Sequence, residues 1–219
     1  MAVPTLLEMV NEVLIRLREN EVTSVNDNKY SKLIVKLIND SKRQVEDAWE
    51  WNALTETLTA TTTANIFSYV LEGSGTRFRI IDVLNDTENF VMKYGQTKEM
   101  NQWFLMANPE RGVPQYFNFN GVEAGSGDTL VDFYPIPDGV YDIRINLIKS
   151  QTPLAVDSDQ PLVPAEPIIL GAYARALAER GEDGGLASSE AYQLYRSSLA
   201  DYIAIEAGHY PEETLWVAE

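Results

Sequence analysis

The 219-residue chain has no cysteine and a single histidine, His209. The first absence excludes disulfide scaffolds, thiolate zinc sites, iron–sulfur clusters and cysteine nucleophiles, and leaves the redox compartment open. The second leaves too few ligands for a catalytic zinc of the usual type. A Ser–His–Asp site would have to borrow His209 from the C-terminal tail, and no Gly-x-Ser-x-Gly elbow presents a serine to it. Basic residues are scarce as well: 17 Lys and Arg stand against 33 Asp and Glu, a net charge of −16. From Ser150 onward there are 12 acids, three Arg and no Lys, so −9 falls in the last third. Holding DNA by phosphate neutralisation needs clustered Lys and Arg, which this chain lacks. No apolar run approaches the roughly 18 residues that span a bilayer. The opening Met1-Ala2-Val3-Pro4-Thr5 has neither the basic start nor the apolar core of a signal peptide, so a soluble protein is expected.

What the chain does contain is helical patterning at both ends. Thr5-Leu6-Leu7-Glu8 reads as a capping box. Leu6, Val10, Val13, Leu14 and Leu17 then recur on one face of a helix ending near Arg18. Asp27 is placed to cap a second helix running to Trp49. Its stripe is Tyr30, Leu33, Ile34, Leu37, Ile38, Val45, Ala48 and Trp49, with Lys42 and the other polar residues mainly on the opposite faces. A third helix follows Pro161-Leu162-Val163-Pro164 and ends at Gly181, and a fourth runs from about Ser188 to Ala207. Ala191, Leu194, Tyr195, Leu199, Tyr202 and Ile203 are expected on the apolar side of the fourth.

The middle is different in character. Thr55–Thr63 is rich in β-branched residues, and 67–71, 78–84, 89–94, 115–120, 129–134 and 140–149 read as strands. Asn85–Glu88 and Pro135–Gly139 are expected to be turns between consecutive strands, and Thr97–Met106 a short helix. The expected fold is α+β: a four-helix bundle built from the N- and C-terminal helical pairs (1–50 and 161–208), a β-rich insertion (51–160) and a tail (209–219).

Few residues point to chemistry. Gly73-Ser74-Gly75 precedes a strand rather than a helix, so a hairpin turn accounts for it better than a nucleotide loop. Asp157 and Asp159 lack the glycine and terminal glutamate of a calcium loop. No catalytic residue, cofactor site or metal site is assigned. Trp49 and Trp51 read as a core plug at the exit of the second helix, and Trp216 either as an aromatic anchor for a neighbour or as part of a tail folded back on its own domain. Two other readings stay open: a carboxylate-based hydrolase, which needs an acid of raised pKa in a cleft, and a carbohydrate- or receptor-binding module using Trp103, Phe104, Tyr116 and Phe117.

Three stretches carry a family resemblance. They are Leu6-Leu7-Glu8-Met9-Val10-Asn11-Glu12-Val13-Leu14, the segment Leu37–Trp51 with its tryptophan-bearing exit, and Pro161–Pro164 followed by an alanine-rich helix to Arg180-Gly181-Glu182. In these the chain resembles the head-to-tail adaptor (connector) proteins of tailed bacteriophages, particularly the tail tubular protein A type. The resemblance implies a virion protein, assembled in the host cytoplasm into a homo-oligomeric ring of twelve subunits. The ring would sit between the portal protein and the tail nozzle or tubular protein, contact no membrane, and let DNA pass without sequence-specific binding. On that footing Tyr210, Leu215, Trp216 and Val217 are expected to dock a partner. Glu179, Glu182, Asp183, Glu190 and Asp201 are expected to line the channel.

Overall fold

The first helix starts where its capping chemistry puts it. Thr5 Oγ1 accepts from the Glu8 amide at 3.3 Å, and Glu8 Oε2 accepts from the Thr5 amide at 2.7 Å. The computed structural model describes residues 3–181 and 185–209. Among these, α1 (Leu6–Arg16) and α2 (Lys29–Ala48) precede the strands, and α4 (Ala165–Arg180) and α5 (Leu186–Ala207) follow them. The residues fall into two compact units, one formed by 1–54 with 150–219 and the other by Thr55–Lys149.

In the helical unit the N- and C-terminal helices pack together, with α4 as the hub that meets α1, α2 and α5. Leu6, Met9, Val10 and Val13 of α1, Ile34 and Ile38 of α2, and Ile168 of α4 are fully buried. Each such aliphatic side chain removed from water contributes about 1.5–3 kcal/mol. Gly171 lets α4 approach its neighbours closely: a Cβ there would collide with Ser41 Oγ of α2 and lie 3.2 Å from the Tyr195 ring of α5. At the far end of α4, Arg180 donates to the Tyr30 hydroxyl (3.0 Å) and the Leu17 carbonyl (3.3 Å) and pairs with Glu19.

The polar side of α2 departs from the amphipathic expectation. Lys42 is buried, not solvated: its Nζ lies 2.7 Å from Glu46 Oε1 and donates to the Gln151 carbonyl at 2.9 Å. Glu46 in turn accepts from the Gln151 amide at 3.2 Å. One turn earlier, the Asn39 side chain accepts from the Leu154 amide (2.8 Å) and donates to its carbonyl (3.0 Å). Helical spacing therefore makes a polar ladder that holds the returning chain. The partners stand more than a hundred residues away, so periodicity within α2 gives no sign of them. The α2 cap also shifts by one residue. Asn28 accepts from the Ser31 amide at 2.7 Å, while Asp27 accepts from Thr23 instead.

The second unit contains β1 (Thr55–Thr61), β2 (Ser68–Val70), β3 (Phe78–Asn85), β4 (Phe90–Val91), β5 (Lys93–Tyr94), α3 (Thr97–Phe104), β6 (Arg111–Gly112), β7 (Tyr116–Val122), β8 (Thr129–Tyr134), β9 (Ile136–Pro137) and β10 (Asp142–Lys149). One antiparallel sheet has the order β1-β10-β3-β4 and a second, mixed sheet the order β2-β8-β7-β5; β6 and β9 form a short parallel pair. Ala60, Val83, Ile143, Ile145 and Leu147 from the first sheet and Phe117, Val131 and Phe133 from the second share one core. Two expected turns are corrected by this order. Pro135–Gly139 joins β8 to β10 in different sheets, and Gly73–Gly75 joins β2 to β3 in different sheets. Each is a crossover, and the pairing that decides this is non-local. The Asn85–Glu88 turn does connect paired strands, β3 and β4.

Candidate interaction surfaces

The outward side of α5 is the first surface. At 3.6 residues per turn, Leu186, Glu190, Leu194, Asp201 and Ile205 fall within about 100° of one another. All five are exposed, Leu186 at 75%, Leu194 at 60% and Ile205 at 61%. The buried side carries Ala191 and Tyr195, with Leu199, Tyr202 and Ile203 half-buried. Leu194 is thus on the opposite side from the one expected. Apolar residues are scattered around the whole circumference of α5, so periodicity selects no face there. Burial pushes the Tyr195 phenol up, and donation to Glu166 Oε2 at 2.9 Å pushes Tyr202 up.

Of the expected channel acids, Glu179 lies exposed in the last turn of α4, and Glu190 and Asp201 share the exposed side of α5. Glu182 and Asp183 lie outside the described residues. So do Tyr210, Leu215, Trp216 and Val217, the expected docking residues.

A second surface is a groove of about 300 Å³ in the helical unit, walled by Pro4, Trp51, Pro161, Leu162, Pro164 and Tyr202. Trp51 itself is buried, and its indole N–H donates to the Val45 carbonyl at 2.7 Å. Leu162 remains 54% exposed on the wall.

The third surface is in the β-rich unit. Trp103 stacks on Tyr134 with ring centroids 4.8 Å apart and lies 5.1 Å from Tyr116. Phe104 lies 4.3 Å from Phe67 and 5.6 Å from Tyr134, and Phe117 belongs to the core. These rings seat α3 on the sheet by packing against one another. The exposed residues of α3 itself are polar (Thr97, Lys98, Glu99, Asn101 and Gln102), and just beyond its end Leu105 is 85% exposed and Met106 49%.

Among the described residues, the carboxylates whose titration is displaced are displaced downward, opposite to what a general acid requires. Amides of Ala155 and Val156 hold Asp159 low, Thr23 holds Asp27 low, and the Gly75 and Gly73 amides hold Asp128 low. Asp157 accepts from the Val25 amide at 2.8 Å, and Asp159 from Ala155 at 2.6 Å. Both acids therefore organise backbone. Among the described residues no cluster of acids and His is placed to hold a metal, and no helix is long and apolar enough to cross a membrane.

No curated protein matches the chain. The model of one family, described as SU10 adaptor protein, matches residues 4–212, which takes in both helical ends and the whole β-rich unit. That extent agrees with the three stretches that carried the resemblance. The chain belongs to the SU10 adaptor family, a phage adaptor whose role is structural rather than catalytic.

Proposed function

We propose that the chain assembles as a homo-oligomeric ring of twelve copies between the portal protein and the tail nozzle, with a central channel through which DNA passes. Membership of the adaptor family over residues 4–212 carries this reading, since an adaptor implies virion partners on either side. The helical unit and residues 209–219 face the portal, and the β-rich unit faces the tail or the outer rim.

The exposed side of α5 suits the edge of a seam between copies. Glu190 and Asp201, interleaved on that side with Leu186, Leu194 and Ile205, stay in water, where their charge costs least. Together with Glu179, Glu182 and Asp183 they give the channel a negative wall. Such a wall makes no counterion-releasing contacts with a polyanion, so DNA slides past it. A chain truncated after Thr214, lacking Leu215, Trp216 and Val217, keeps its fold and sediments less with portal rings than the full chain does. Equal co-sedimentation of the two removes the docking role from those residues.

A further inference from the structure

We propose that the groove beside Trp51 is the seat of the chain's own segment 210–219, with Leu215 and Trp216 as its anchor, in the unassembled subunit. The groove is apolar and open: three prolines and Trp51 form its walls, and Leu162 stands half in solvent. Its volume of about 300 Å³ accommodates one bulky side chain.

The occupant is indicated by where the described chain stops. Tyr202 and Glu206 of α5 line this groove. The Glu206 carboxylate accepts from the Asn52 amide at 2.9 Å and lies 3.2 Å from His209 Nδ1, while the His209 amide donates to the Glu206 carbonyl at 2.9 Å. His209, the last described residue, therefore lies beside the rim. The next residues are Tyr210 and Pro211, followed by the acids Glu212 and Glu213 and then Leu215-Trp216-Val217. Trp216 lies seven positions beyond His209, a reach of up to ~25 Å when extended. A segment tethered this closely meets the groove at an effective concentration on the order of millimolar, so modest apolar contact suffices to hold it. The acids between the aromatic residues remain in water. If the tail also binds the portal, it must leave the groove first, which would keep Trp216 covered until a partner is present.

The chain's lack of cysteine permits a direct test in the isolated protein, independent of the portal reading. Leu162→Cys combined with Val217→Cys should oxidise to an internal disulfide running as a monomer on non-reducing gels. The control pair is Leu186→Cys with Val217→Cys. Leu186 is exposed and about 30 Å from Glu206 along α5, from 1.5 Å per residue. The groove pair should close at least tenfold faster than the control, and Trp216→Ser in the groove pair should erase most of that difference. Equal rates for the two pairs, or no internal disulfide in a chain with an unchanged thermal melt, would overturn the proposal. So would disulfide-linked dimers as the main product, which would make a second copy the occupant.

Discussion

Replacing Lys42 by Met tests whether α2 clamps the returning chain through a buried ion pair. Lys42 and Glu46 are 2% and 5% exposed, with 2.7 Å between Nζ and Oε1. Methionine keeps the length of the side chain and removes its charge. The Glu46 carboxylate is then left buried with one described donor, the Gln151 amide at 3.2 Å. Removing one partner of a buried pair destabilises by about 3–5 kcal/mol, because the remaining charge is uncompensated. For a chain of this size each kcal/mol moves the melting midpoint by about 2–4 °C, so a fall of roughly 6–20 °C is expected. Adding Glu46→Leu removes the orphaned charge and should recover most of that loss. What persists is the loss of the hydrogen bonds to the half-buried Gln151 amide and carbonyl, at the low end of about 0.5–1.5 kcal/mol each because water reaches these groups. Urea unfolding followed by circular dichroism reads both variants, provided the m-value is unchanged. A single variant that loses less than about 1 kcal/mol would refute the argument. A double variant no more stable than the single one would also refute it.

Gly171→Ala should destabilise by about 1–3 kcal/mol through overpacking against Ser41 and Tyr195. Adding Ser41→Ala should restore most of it in the same urea assay, since the buried Ser41 hydroxyl has no hydrogen-bond partner among the described residues. The pH dependence has a definite sign. Asp27, Asp128 and Asp159 are lowered on folding, so their contribution is full above the unfolded Asp value of about 3.9 and is lost as pH falls through their lower folded values. Asp159→Asn should therefore lower the melting midpoint at pH 7 and narrow the gap between pH 7 and pH 3. Glu190→Lys with Asp201→Lys should give the assembled ring salt-sensitive retention of DNA on filters, falling by about 0.9 logarithmic units per phosphate contacted for each tenfold rise in salt. No gain in retention would remove these two residues from the channel wall.

Local chemistry was legible in the sequence wherever the deciding partners were close in the chain. The Thr5–Glu8 box starts α1 as expected, and Thr129–Tyr134 is a strand over its whole expected length. What escaped depends on distant partners. Lys42 looks like a solvated lysine until Gln151 returns to α2. Strands β8 and β10 look like a hairpin because only a Pro- and Gly-containing loop parts them, yet each pairs with strands far away in sequence. The interaction surfaces were less legible than the fold. Charge marks Glu190 and Asp201, but the pattern puts Leu194 on the covered side of α5 and gives no signal for Leu186 or Ile205. Aliphatic residues on every side of a helix do not reveal which side is covered. The groove is assembled from the chain near residue 4, the exit of α2, the loop before α4 and the end of α5, and no single window contains it.

The most direct test of the adaptor reading is negative-stain imaging of portal rings mixed with excess full-length chain. The expected result is an added ring of density on one face of each portal, with twelve-fold symmetry on averaging. Portal rings that stay bare beside a correctly folded chain would contradict it.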